Sequence, residues 1–323
     1  MSTQFPVRYG GPTVSDLGEK RVIEAIVAES PSIVNGDDAA VLFNAPPNSR
    51  TVVTTDMAVE DRHFKLNWST AEEIGKKAIV QNFADIEAMG ARPVAALLAV
   101  AAPRATPVSF LQELARGIDS RVREFSAELV GGDVVSADQL TISVTAVGSL
   151  GGNLPALSLD RARPGQVLCA SGAIGHSAAG MALLRRFGRV GVPEDMVVLR
   201  DAHTMPTVAP SRGMVARSTG ATAATDNSDG LIVDVSTIAR RSGVAIDLDP
   251  EAIAPSPALM RAGELTGIDP WAWVLGGGED HTILATTSAA IPSGFRKIGE
   301  VHKGEGVTVG GSAPKVTTGW ASF

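Results

Sequence analysis

The stretch TVVTTDMAVEDRH runs from Thr51 to His63. Thr51, Val52, Val53, Thr54 and Thr55 are all β-branched, which predicts an extended strand, and Asp56 is expected to end it. A carboxylate leaving a strand, with His63 a few residues on, places chemistry on a loop that a rigid element holds. Asp in that position is equally an ordinary turn-former or helix cap, so the stretch alone leaves both readings open. Its recurrence favours a site. Working outward, Asn35-Gly36-Asp37-Asp38 leads into an apolar run, and Leu129-Val130 runs into Gly131-Gly132-Asp133. Further on, Thr225-Asp226-Asn227-Ser228-Asp229-Gly230 opens a helix, and Gly276-Gly277-Gly278-Glu279-Asp280 precedes a strand.

With 323 residues, 44% of them hydrophobic, the chain is expected to form two domains. These are 1–150 and 151–323, divided at the start of the Gly/Pro-rich stretch 151–165. A formal charge of -7 with no Lys/Arg cluster argues against a nucleic-acid-binding face. The single cysteine, Cys169, lies in the apolar run 167–170 and reads as a buried thiol. The opening MSTQFPVRYG has no signal-peptide pattern, and charges, glycines or prolines interrupt every apolar run. The expectation is a soluble, cytoplasmic protein with no membrane partner.

Ser15 opens an expected helix to about Glu29. Ser69 or Thr70 caps a second, with Glu72 and Glu73 in its first turn, carrying through to Gly90. On it Asn82 and Asp85 share a face, and are either a satisfied helix–helix hydrogen bond or a ligand set. Val94–Ala101 reads as a buried strand, although its alanines suit a helix equally, Leu140–Val147 as a strand, and Pro107–Phe125 as an amphipathic helix. The glycine pair before Asp133 lets a backbone approach something closely, a hint of a phosphate. In the second half a strand, Gln166–Ser171, leads through Gly172–Ser177 into a helix reaching Phe187. That helix start is able to bind an anion, but it lacks the Lys of a P-loop and the third Gly of a dinucleotide fingerprint. Pro206–Ser218 is expected to be helical, and Ala223–Leu231 to open a helix through Arg241. Val244–Leu248 and His281–Thr286 are expected strands, with a helix at Ser256–Leu265. The triple glycine before Glu279 costs backbone entropy, which a site would justify.

Asp37, Asp38, Asp56, Asp85, Asp133, Asp226 and Asp229 all sit at expected element ends or on one helix face. No Cys/His set has transition-metal spacing, and oxygen-only ligands select hard cations such as Mg²⁺. Carboxylate-held Mg²⁺ implies a polyphosphate partner, and so phosphoryl transfer.

In order, the blocks GDDAAVL (Gly36–Leu42), TTDMAVEDRHF (Thr54–Phe64), QNFADIEAMGARP (Gln81–Pro93), VGGD (Val130–Asp133), TDNSDGL (Thr225–Leu231) and GGGEDH (Gly276–His281) closely resemble the thiamine-monophosphate kinase family. That family belongs to the ATP-binding superfamily of aminoimidazole ribonucleotide synthetase and selenophosphate synthetase. The resemblance implies a two-domain α/β fold of that superfamily. Its N-terminal ATP- and Mg²⁺-binding domain would pair its sheet with a second subunit's, forming a β-barrel across a homodimer, and a C-terminal α/β domain would close the cleft. It implies a phosphotransferase that converts thiamine monophosphate to thiamine diphosphate by direct in-line transfer from ATP with Mg²⁺. Matched residue by residue, Asp38, Thr54, Thr55, Asp56, Asp85, Asp133, Asp226 and Asp229 fall on the family's metal positions. Of these, Asp56, Asp85, Asp133 and Asp229 are the expected catalytic residues. Gly132, Asp133 and Ser228 fall on ATP contacts, and His63, Glu279 and Trp320 on contacts to the thiamine substrate.

Some positions depart from the pattern. Asp61-Arg62 stand where the family often has a Gly, and His281 where a Tyr is usual. The ATP-contacting Arg falls on Leu159, with Arg161 or Arg163 nearby as its replacement. Selenophosphate synthetase would need a reactive residue near the N-terminus, and a hydrogenase-maturation relative a C-terminal Cys; this chain has Cys169 and ends in Phe323. The remaining alternatives are another enzyme of the superfamily and a non-catalytic nucleotide-binding regulator.

Overall fold

In the computed structural model, which describes residues 5–32 and 47–319, the β-branched run forms strand β1, Arg50–Val59. The strand does not end at Asp56. Its N–H donates to Asn82 Oδ1 at 3.0 Å and its carbonyl accepts from Ser143 Oγ at 3.3 Å, so the residue is tied down in extended form on both sides. The expected sites at Asp37, Asp38 and Trp320 lie outside the described residues.

The chain is a mixed α/β protein of two units, Met1–Phe83 with Pro93–Ser149, and Ala84–Arg92 with Leu150–Phe323. In the first, among the described residues, β1 lies at the edge of a four-stranded sheet of order β1-β4-β2-β3, with β2 Arg92–Ala102, β3 Glu128–Ser136 and β4 Thr141–Leu150. The parallel pair β2–β3 is joined by a crossover helix, Val108–Glu124, here α4. The helix before β2, α3 at Ala71–Ala88, opens on a capping box. Glu73 N–H donates to Thr70 Oγ1 at 3.1 Å, and Thr70 N–H to Glu73 Oε2 at 2.8 Å. Ile74, Ile79, Phe83, Phe110, Leu114 and Ile142 are buried, and Phe83 meets Phe125 edge to face. The helix expected from Ser15 is two, α1 Val14–Leu17 and α2 Glu19–Glu29, broken where Gly18 takes φ 76°.

The second unit is built on a six-stranded sheet of order β10-β7-β9-β5-β8-β6, antiparallel except for β10–β7. Its strands are β5 Val167–Ser171, β6 Ala221–Asp226, β7 Ala245–Leu248, β8 Ile283–Thr287, β9 Arg296–His302 and β10 Gly306–Val309. Its helices are α5 His176–Gly191, α6 Val197–Thr204, α7 Arg212–Ser218, α8 Leu231–Ser242, α9 Pro257–Thr266 and α10 Pro270–Gly276. The helix expected from Pro206 begins only at Arg212. Pro206 and Pro210 disfavour helix in the residues before them, and Ser211 takes φ 68°. The stretch expected to lead straight into a helix from Ala223 is instead strand β6, paired with β8 as far as Asp226 and Ile283. No helix among the described residues is long and apolar enough to cross a membrane.

Glu87, near the end of α3, is fully buried and accepts the N–H groups of Ser211 and Gly213, each at 2.7 Å, at the start of α7. Burial pushes its carboxyl up to about 7, against the pull of those two bonds and Arg212. A folded value above the unfolded one contributes stability that is complete below the ordinary carboxylate range and lost as pH rises through about 7. Glu87→Gln carries no charge at any pH. Between roughly pH 5 and 8 the wild type is therefore expected to lose about 2 kcal/mol relative to this variant in chemical denaturation. A difference independent of pH would refute the assignment.

Candidate active site

In the first unit the pleat of β1 separates the three consecutive metal candidates. Alternation puts Thr54 and Asp56 on one face and Thr55 on the other. Thr55 Oγ1 donates to Val144 O at 3.0 Å and accepts from Thr145 Oγ1 at 3.1 Å, so its side chain is engaged with β4. Asn82 holds the N–H of Asp56 while its own Nδ2 donates to Ala78 O at 3.0 Å. Of the two readings of Asn82, the structure shows the satisfied bond, made to a strand rather than a helix. Asp85 follows one turn later on α3, half-buried.

Asp133 lies inside β3, exposed, with Oδ1 accepting its neighbour Val134's N–H at 2.9 Å. The glycine before it has a local cause: a Cβ on Gly132 would sit 2.0 Å from Leu98 O of β2. The close approach read as a phosphate hint is therefore made by the neighbouring strand. Among the described residues β1 and β3 lie at opposite ends of the sheet order, so Asp56 and Asp133 stand on strands separated by two others.

His63 closes a tight turn after β1, where Nδ1 accepts the Val59 N–H at 3.1 Å. The neutral ring then carries its proton on Nε2 and presents a donor there. Asp61 takes φ 65°, a conformation that Gly, Asn and Asp adopt most readily.

In the second unit two loops interlock. Asp226 ends β6 with both oxygens engaged: Ser228 Oγ donates to Oδ1 at 3.2 Å, and His281 Nδ1 to Oδ2 at 2.9 Å. Asp234, one turn into α8, accepts from Asp229 N at 3.2 Å and Gly230 N at 3.0 Å, fixing the turn. Burial pushes Asp234 up to about 8, with further contributions from Asp226 and Asp229, and burial and Asp226 also raise Asp229. The second loop packs on the first: a Cβ on Gly278 would lie 2.3 Å from Ser228 O, which also accepts the Glu279 N–H at 2.8 Å.

Asp280 is buried and accepts from Gly175 N at 2.5 Å and Ser177 N at 2.8 Å. Burial pushes its carboxyl up to about 7. The anion-binding helix start at Gly172–Ser177 is thus already filled by the chain's own carboxylate. Arg161 Nη1 donates to Ala156 O at 3.4 Å, and Arg163 Nη1 to Asp160 O and Ala162 O, all within their own loop. Cys169 is buried, its thiol pushed up to about 11, which keeps it protonated at neutral pH.

The donor chemistry around Asp226 fits a hard cation, since Asp226, Asp229 and Asp234 repel one another and oxygen ligands suit Mg²⁺. Among the described residues, no group of three or more His, Cys, Asp or Glu is arranged to hold a metal ion by itself. Sequence reasoning missed the roles of Asp234 and Asp280, for which the only signal was an acidic residue beside a glycine-rich loop.

The family profile "AIR synthase related protein, N-terminal domain" matches residues 36–150. The thiamine-monophosphate kinase of Corynebacterium glutamicum is 60% identical over 97% of this chain and 96% of its own length. That of Mycobacterium tuberculosis is 44% identical over 97% and 93%. A solved structure described as AaThiL complexed with AMPPCP and TMP superposes with a TM-score of 0.78 at 30% identity, covering 97% of this chain and 99% of that one. Likeness of this degree over nearly the full length, with the interlocked acidic loops in place, shows that the chain belongs to the thiamine-monophosphate kinase family.

Proposed function

We propose that the chain transfers the γ-phosphoryl group of ATP to thiamine monophosphate, giving thiamine diphosphate and ADP. The observation that carries this is the interlock of the Asp226–Gly230 and Gly278–His281 loops. It holds carboxylates suited to a metal-bound polyphosphate beside Glu279, the residue expected to meet the acceptor. The AMPPCP and TMP named for the related structure support the same pair of substrates.

A phosphate oxygen of the acceptor attacks the γ-phosphorus in line and ADP leaves. A phosphate monoester is largely ionised at neutral pH, so no dedicated base is needed. Asp56, Asp85, Asp133, Asp226 and Asp229, with Asp38 and the strand residues Thr54 and Thr55, would hold Mg²⁺. When bound, Mg²⁺ neutralises the charge spread over the transferring group. Gly132, Asp133, Ser228 and Arg161 would meet ATP, and His63, Glu279 and Trp320 the acceptor.

We read the enzyme as a cytoplasmic homodimer. Support for the dimer comes from β1, which among the described residues is an edge strand with Val53 and Met57 exposed, apolar surface of the kind that proteins normally cover.

The test is product formation with ATP and Mg²⁺, offering thiamine monophosphate and, separately, free thiamine. Thiamine diphosphate from the monophosphate alone, with one ADP per product, is the expected result. ATP binding without that product would move the acceptor elsewhere in the superfamily. His63→Ala is expected to raise KM for thiamine monophosphate about tenfold, through loss of the Nε2 donor, and to leave KM for ATP nearly unchanged. Unchanged acceptor KM would remove His63 from the site.

A further inference from the structure

Glu279 sits on a backbone held from both sides. Its own N–H bonds Ser228 O, the Asp280 carboxylate bonds Gly175 N and Ser177 N, and His281 N–H bonds Asn227 O. Glu279 itself takes φ 62°, in the left-handed region. The backbone is therefore fixed, but the carboxylate stands at the end of three rotatable bonds and needs its own restraint to act at a defined point. One is present. His203, on α6 and 5% exposed, points Nδ1 at Glu279 Oε2 at 3.5 Å, and Ser177 Oγ lies 3.2 Å from the same nitrogen. Ser177 is itself only 1% exposed, and its N–H is one of those that hold Asp280. The hydroxyl and the carboxylate thus converge on one nitrogen of a buried imidazole, and a proton on Nδ1 attracts the carboxylate while the hydroxyl oxygen accepts a share of the same proton.

We propose that His203 is a positioning residue for the phosphoryl acceptor, holding the Glu279 carboxylate through the Nδ1 proton, which Ser177 Oγ shares as a second acceptor. The inference rests on the kinase reading above. A carboxylate held at one point attracts a cationic or amino-bearing heterocycle, and thiamine monophosphate has both a thiazolium and an aminopyrimidine. It offers nothing to the anionic triphosphate of ATP. The effect of His203 is therefore confined to the acceptor, where a merely structural role would disturb both substrates alike.

Two polar substitutions separate these roles without emptying the core. Asn places an amide N–H close to the position of Nδ1, whereas Gln places it where Nε2 stands. With ATP and thiamine monophosphate as substrates, His203→Gln is expected to raise the acceptor KM about tenfold, with ATP KM within about twofold of wild type. His203→Asn recovers most of the acceptor affinity. In a Glu279→Gln background, His203→Gln adds little further change, because the carboxylate it served is gone. Equal acceptor KM in all His203 variants, a parallel rise in ATP KM, or an undiminished effect in the Glu279→Gln background would each overturn the proposal while leaving the kinase reading in place. A wild-type enzyme inert toward thiamine monophosphate would overturn both.

Discussion

Asp56→Asn and Asp133→Asn are each expected to lower turnover by about a hundredfold or more, with the fold retained. The expectation of an intact fold comes from what each side chain leaves behind. The bonds that tie Asp56 into β1 are made by its backbone, through Asn82 and Ser143, and an amide side chain does not touch them. Asp133 is exposed, and an Asn there still offers an oxygen to the Val134 N–H. What the substitutions remove is negative charge, and in phosphoryl transfer charge neutralisation and positioning supply most of the acceleration. Turnover should be read with the Mg²⁺ concentration at half-saturation, which is expected to rise in both variants, and with the thermal midpoint, which is expected to hold within a few degrees. The sheet order adds a second expectation. Asp56 and Asp133 stand on strands that are not neighbours, so the two single losses in Mg²⁺ affinity are expected to be close to additive in the double variant. Normal turnover in either variant would remove that aspartate from the metal set.

The elements legible in the sequence were those with a strong local cause. The run of β-branched residues made β1, the Thr70 and Glu73 capping box opened α3, apolar periodicity gave α4, and the aspartates around Ser228 marked the start of α8. The elements that escaped it are made by their neighbours. Strand β6, ATAATD, has little strand propensity of its own and forms because β8 pairs with it along its length. Helix α6, VVLRDAHT, begins on β-branched residues without a capping side chain, and is held by packing on α5. The site follows the same rule. Types and order of the carboxylates were readable, because a motif is a local object. Whether a residue ends a strand or lies within it was not, which is why Asp56 and Asp133 stand inside strands that were expected to stop at them. The anchoring of Asp280 on the start of α5, over a hundred residues away in sequence, and the approach of His203 to Glu279, are purely tertiary.

Gly278→Ala is expected to cost about 1–3 kcal/mol of stability and to reduce activity by about a hundredfold, more than its size suggests. The added Cβ would stand 2.3 Å from Ser228 O, and this neighbour is backbone, which has no rotamer through which to yield. Relief requires one of the two loops to move away. If the Gly278–His281 loop moves, the Glu279 N–H leaves Ser228 O, Glu279 leaves its place near His203, and His281 withdraws from Asp226. If the Ser228–Gly230 turn moves instead, Asp229 shifts and Asp234 loses the two N–H groups it holds. Either route displaces a group on the metal side and a group on the acceptor side together, so KM for ATP and KM for thiamine monophosphate should both rise, unlike the His203 variants. Gly151→Ala is the matched control, since a Cβ there meets nothing within 4 Å. A Gly278→Ala enzyme with wild-type kinetics would mean that the two loops do not depend on each other, and the interlock would lose its part in the function.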